Sequence, residues 1–294
     1  MPQVTANKLQ IEYEIFGDAS APAILLIMGL GAQLGRWNIE LCTALVDRGF
    51  RVIRFDNRDC GLSTKLDELG VPDIGKALRT GRPVDAPYTL QDMAADCIGL
   101  LDALAIERAH VVGASMGGAI AQILSALYPQ RVLSLTCLMT TSGHPDLPPP
   151  TPEASRALFA PLPEKRDKES LIEDAIRRFL AVASPSYPSC PQRLLDSFNA
   201  EHERGYHPRG VARQLAAFLA SDHRRELLQT ITAPTLVLHG ADDPLIPVAC
   251  GYDVAAHIPG AEIRVIEGLG HDLPLALTEE FADAIAAVAR RAER

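Results

Sequence analysis

The chain has 294 residues, with 28 Lys and Arg against 37 Asp and Glu, a formal charge of −9. Hydrophobic residues make up 47% and charged residues 22%, which fits a folded globular protein and excludes wholesale disorder. The acidic balance, with no basic run and no Lys/Arg stripe interleaved with aromatics, argues against nucleic-acid binding. Residues 11–16 alternate apolar and polar side chains, as a half-buried strand does. Residues 23–27 are a continuous apolar run behind Pro22, the pattern of a strand buried on both faces. Trp37, Leu41 and Leu45 recur at helical spacing within 36–48, and Gly49 ends that helix. Residues 50–55 read as the next strand. Thr89 is placed to cap a helix reaching about to Leu104. Residues 109–112 and 131–138 read as buried strands, with a helical pattern at 119–128 between them. Strands alternating with helices predict βαβ units and a mostly parallel central sheet flanked by helices on both faces.

The character changes near Thr141. Pro145, Pro148, Pro149, Pro150 and Pro152 crowd a stretch that predicts neither regular helix nor central strand. From there to about Thr230 the pattern is helical, with candidates at 168–182, 191–203 and 208–220. The α/β rhythm resumes with a strand at 234–238, a helix at 248–257, a strand at 262–266 and a final helix at 278–290. The predicted organisation is an α/β core, residues 1–140 and 231–294, interrupted by an all-helical insertion at 141–230.

The strongest local signal is Gly113-Ala114-Ser115-Met116-Gly117-Gly118, directly after the 109–112 strand and before a helix. A G-x-S-x-G segment in a strand–turn–helix setting is a nucleophile elbow. Its turn is sharp and strained, so the residues around the serine must be small. The hydroxyl is then presented at the positive end of a helix. A serine hydroxyl is a weak nucleophile at neutral pH and needs a base within reach, itself oriented by a third group. Of eight histidines, only His271 lies between the last strand and the last helix, in Gly268-Leu269-Gly270-His271-Asp272. His110 begins a core strand and His239 ends one, which predicts packing or local bonding. His144, His202, His207, His223 and His257 read as surface or cap residues.

With these segments in this order, the chain resembles the α/β-hydrolase superfamily over essentially its full length. The resemblance implies the α/β-hydrolase fold, with Ser115 as nucleophile, His271 as base and residues 141–230 as a cap (lid) shaping the pocket. It places the acid in Leu238-His239-Gly240-Ala241-Asp242-Asp243-Pro244, three residues after the glycine. Asp243 fits, with Pro247 downstream, and adjacent Asp242 is its rival. It also implies an oxyanion hole made by the backbone N–H of Met116 and one from Met28-Gly29-Leu30-Gly31. Leu30 is the second donor by alignment to the pattern, and Gly31 is the alternative. Many relatives carry His-Gly here; Met28 replaces that histidine and leaves the backbone donor intact. Asp56-Asn57-Arg58-Asp59-Cys60-Gly61-Leu62-Ser63 resembles the D-x-R-x-x-G-x-S loop of the family and reads as loop-fixing. Together these segments are similar to bacterial esterases of the aclacinomycin methylesterase type.

The implied activity is cleavage of a small to medium carboxylic ester through an acyl-enzyme, as a carboxylesterase. The same triad leaves lactone, amide or aminoacyl, and carbon–carbon bond hydrolysis open. Outside enzymes, the fold also serves as a ligand receptor. Dehalogenases and epoxide hydrolases want an aspartate nucleophile, which Ser115 argues against. No metal-ligand spacing is present, and Gly29 to Gly35 lacks the G-x-G-x-x-G spacing of a dinucleotide loop, so no metal and no cofactor are expected. The polar cluster 201–207 reads as a solvated helix end, with Arg204 as an alternative contact for a substrate carboxylate. Leu158, Phe159, Phe179, Leu180, Phe198 and Phe218 read first as packing and second as pocket lining. The N-terminal segment lacks the pattern of a secretory signal, and the 23–30 apolar stretch is too short to span a bilayer. Six scattered cysteines without a C-x-x-C pair read as reduced thiols, and a cytoplasmic location is the default. The expected partner is a small-molecule ester; oligomeric state is left open.

Overall fold

The computed structural model describes residues 2–160 and 163–292. Among these, eight strands form one sheet: β1 (Gln3–Ala6), β2 (Leu9–Phe16), β3 (Ala23–Ile27), β4 (Arg51–Phe55), β5 (Ala109–Ala114), β6 (Val132–Leu138), β7 (Thr235–Gly240) and β8 (Glu262–Ile266). Their spatial order is β1-β2-β4-β3-β5-β6-β7-β8. The pairs β1–β2 and β2–β4 are antiparallel, and every later pair is parallel. The chain leaves β3 for β4 on one side and returns to β5 on the other. A crevice therefore opens at the carboxyl ends of β3 and β5, where ligands bind in open α/β sheets.

All five residues of β3 are buried, as its unbroken apolar run requires. Their side chains alternate between two cores. Leu25 and Ile27 pack with α3 (Leu90–Ala103) and α4 (Met116–Leu127). Ile24 and Leu26 pack with α1 (Ile39–Asp47) and α11 (Thr278–Arg291). Thr89 caps α3 through a capping box with Asp92.

Several boundaries differ from the sequence expectation. The helix expected from residue 36 starts at Ile39, because Asn38 accepts the Leu41 N–H at 2.7 Å and Leu34–Arg36 form a separate 3-10 turn. Strand β5 runs on to Ala114 and α4 starts at Met116, so the elbow turn is the single residue Ser115. β1 and α2 (Ile74–Thr80) carried too little apolar pattern to be foreseen.

Between β6 and β7 the chain forms α5 (Pro152–Phe159), α6 (Lys168–Leu180), α7 (Pro191–Gly205), α8 (Pro208–Leu219) and α9 (Arg225–Leu228). The proline-crowded stretch does contain a helix. Pro152 opens α5, where its missing N–H costs no helical hydrogen bond, and the Thr151 side chain caps the turn. After β7, α10 (Val248–His257) leads to β8. Among the described residues, no helix is long and apolar enough to cross a membrane.

His110 is buried at the start of β5, with Nδ1 at 2.9 Å from Ser134 Oγ and the Phe50 ring edge-on. Burial pushes its imidazole pKa down to about 4. An unfolded histidine titrates near about 6.5, so between these values the unfolded chain binds the extra proton. The His110 contribution to stability is therefore intact above that window and lost as pH falls through it. Urea unfolding between pH 7 and 4 is expected to show a falling midpoint, with a shallower fall for His110→Gln. An equal slope in both chains would refute the assignment.

Candidate active site

The site is built on the turn between β5 and α4. Ser115 adopts φ 56° and ψ −122°, a conformation L-residues rarely hold. The surrounding packing enforces it. A Cβ on Gly117 would lie 2.1 Å from the Ile27 carbonyl oxygen, and one on Gly113 would lie 2.2 Å from that of Gly117. The Ser115 N–H donates to Leu138 O at 2.9 Å, and Thr140 Oγ1 donates to Ser115 O at 2.7 Å. The end of β6 thus clamps the turn.

His271 and Asp243 meet this serine from separate loops. His271 Nε2 lies 2.9 Å from Ser115 Oγ, and His271 Nδ1 lies 2.7 Å from Asp243 Oδ2. Asp243 is buried, and its Oδ1 accepts the N–H groups of Leu245 at 2.9 Å and Ile246 at 2.8 Å. Those two bonds fix the carboxylate before the histidine arrives. Asp242 points elsewhere and accepts the Gly268 N–H at 2.8 Å, at the root of the histidine loop. His239 is fully buried, and burial lowers its pKa. Its neutral ring bonds the Ile246 carbonyl at 2.7 Å through Nε2, which also stands 3.6 Å from Asp243 Oδ2.

The loop after β3 lies against the serine: a Cβ on Gly29 would be 3.1 Å from Ser115 Cβ. Both ends of this loop are held. Asn57 Nδ2 donates to Met28 O at 2.9 Å, and the Gly31 N–H donates to Gln214 Oε1 at 2.8 Å. Gly31 is thus engaged by Gln214, while Leu30 and Met116 line the same chamber as Ser115 and His271. Asp56 accepts the N–H groups of Leu34 and Leu62, both at 2.8 Å, and so ties this loop to its neighbours.

The residues between α6 and α7 hold the histidine loop, a contact that no sequence motif announces. The His271 N–H donates to Val182 O at 2.7 Å, the Gly270 N–H to Ser184 Oγ at 2.9 Å, and the Ser184 N–H to Asp272 Oδ1 at 2.9 Å. Gly270 is required there, because its Cβ would fall 2.7 Å from the Ala183 carbonyl. Burial raises the pKa of the Asp272 carboxyl beside it.

A chamber of about 1470 Å³ opens over Ser115, roofed by the helices between β6 and β7. Leu158, Phe159, Phe179, Phe198 and Phe218 line it, so five of the six apolar candidates face the pocket, Phe218 while also packing on the core. Leu180 is 56% exposed and faces away.

A sequence profile described as the alpha/beta hydrolase fold matches residues 22–275. The chain belongs to the α/β-hydrolase family. A rhodomycin D methylesterase of Streptomyces peucetius is 29% identical over 98% of both chains. A 2-hydroxy-6-oxononadienedioate/2-hydroxy-6-oxononatrienedioate hydrolase of Cupriavidus pinatubonensis is 30% identical, over 86% of this chain and 81% of that one. Among solved structures, an enol-lactonase from Burkholderia xenovorans superposes with a TM-score of 0.72 at 25% identity, over 99% of each chain.

In this α/β-hydrolase Glu201 and Arg204 of the polar cluster at 201–207 turn inward, while Glu203 and Tyr206 are exposed as a helix end would be. Arg204 Nη1 lies 2.6 Å from Asp56 Oδ2 and 2.9 Å from Gln33 Oε1. Glu201 pairs with Arg36 at 2.6 Å. The reason is close docking of α7: a Cβ on Gly205 would meet the Gly61 carbonyl oxygen at 2.4 Å. Arg204 is therefore paired with an internal acid, and it does not line the chamber.

Proposed function

We propose that this α/β-hydrolase is a serine carboxylesterase. The observation that carries the reading is the unbroken line Ser115–His271–Asp243, at 2.9 and 2.7 Å, beneath an apolar chamber. Ser115 Oγ attacks the ester carbonyl as His271 Nε2 takes its proton. Asp243 holds the Nδ1–H tautomer and stabilises the imidazolium. The backbone N–H groups of Leu30 and Met116 hold the oxyanion; losing one such donor costs on the order of 3 kcal/mol of barrier. His271 then gives its proton to the leaving alcohol, and water activated by the same ring releases the acid. The helical insertion acts as a cap that chooses the substrate. The match to a methylesterase over nearly the whole chain supports an ester, and six free thiols support a cytoplasmic home.

A fluorophosphonate probe should label Ser115 stoichiometrically, and p-nitrophenyl esters should be turned over faster than lactones or aminoacyl amides. An optimum in acyl length is expected from a chamber of finite depth under the helical insertion. Lactones outrunning every ester would replace the esterase by a lactonase. Absence of both labelling and turnover would favour a ligand receptor.

A further inference from the structure

The arginines of the chamber wall are all paired. Among the described residues, the arginines lining the chamber are Arg36, Arg54, Arg178 and Arg193, and each already faces a carboxylate. Arg54 pairs with Glu14 at 2.5 Å, Arg178 with Asp174 at 2.7 Å and Arg193 with Glu40 at 2.7 Å. Arg36 lies among the aromatics of the wall. Its guanidinium lies 3.9 Å from the centre of the Phe198 ring and 5.7 Å from that of Phe179, two aromatics of the apolar wall. Glu201 of α7 meets it along one edge: Nη2 donates to Oε2 at 2.8 Å, and Oε1 stands 2.6 Å from Nε.

A substrate carboxylate entering this space leaves its water. It would need a cation in exchange, because an unpaired buried charge is strongly disfavoured. Arg36 is positioned to serve, yet its charge is already paired with Glu201 along the Nε/Nη2 edge. Resting on the esterase reading above, we infer that the chamber selects esters whose remaining groups are uncharged, and that Glu201 sets this selectivity by occupying Arg36. Glu201 is a specificity residue and takes no part in the acyl transfer. The overall charge of −9 acts in the same direction on an approaching anion. The acid product is itself an anion, so the same neutral wall favours its release.

The test compares a neutral dimethyl dicarboxylate ester with the corresponding half-ester, at a pH where the free acid is ionised. The unmodified chain should favour the dimethyl ester in kcat/KM by at least about ten-fold. In Glu201→Gln, Arg36 loses its counter-charge while the amide oxygen can still accept from it, and the half-ester should gain relative to the dimethyl ester by about ten-fold or more, the scale of one charge-assisted hydrogen bond. The double variant Arg36→Gln with Glu201→Gln should show no gain. A measurement on the unmodified chain guards against misfolding of the variants: an apolar carboxylate should inhibit at least ten-fold more weakly than its primary amide. Equal use of both esters by the unmodified chain, or an unchanged ratio in Glu201→Gln that still cleaves the dimethyl ester, overturns the inference. Failure of the unmodified chain to cleave any ester strikes the esterase reading instead.

Discussion

Ser115→Ala is expected to lower kcat on esters by at least about 10⁴-fold, leaving only what the oxyanion hole and binding supply. The hydroxyl oxygen is the one atom removed, and it is the atom 2.9 Å from His271 Nε2. The fold should survive, because the bonds that clamp the turn are made by the backbone N–H and carbonyl of residue 115. Ser115→Gly adds a second readout. Alanine at φ 56° keeps the backbone strain, whereas glycine accepts it freely. Ser115→Gly should be equally inactive but about 1 kcal/mol more stable to urea than Ser115→Ala. Full esterase activity in either variant would remove Ser115 as nucleophile. Ser115→Gly less stable than Ser115→Ala would mean that the turn stores no strain, because only the entropy glycine adds to the unfolded chain would then remain.

How legible this was from sequence depended on the range of the interaction. Elements with a dense local pattern were read to within a residue or two: the apolar run of β3, the helix capped by Thr89, and α10 and β8. The elbow was read because its packing demands leave small residues as a trace. β1 escaped because only one of its four residues is buried. α5 was hidden by the prolines around its first turn. The larger misreading was Glu201 and Arg204. Locally they look like a polar helix end, but Arg204 finds Asp56 148 residues away, and no window of sequence carries that distance. The support of the histidine loop by Ser184 escaped for the same reason, since Asp272 lies 88 residues downstream.

The pair Asp242 and Asp243 marks the limit of pattern reading, since adjacent acids share one motif and only their side-chain directions separate them. Asp243→Asn is expected to lower kcat on the order of 10⁴-fold with little change in KM. An amide in place of Oδ2 no longer secures the Nδ1–H tautomer, so Nε2 ceases to be a ready base for Ser115. Its other oxygen can still accept the N–H groups of Leu245 and Ile246, which preserves the loop. Asp242→Asn should keep kcat within about ten-fold of the unmodified chain, because its carbonyl can still accept the Gly268 N–H and the residue has no bond to His271. Measured on one ester, the two variants should thus differ by roughly three orders of magnitude. A larger loss in Asp242→Asn would transfer the acid's role to the neighbour and require the loop after β7 to rearrange when substrate binds.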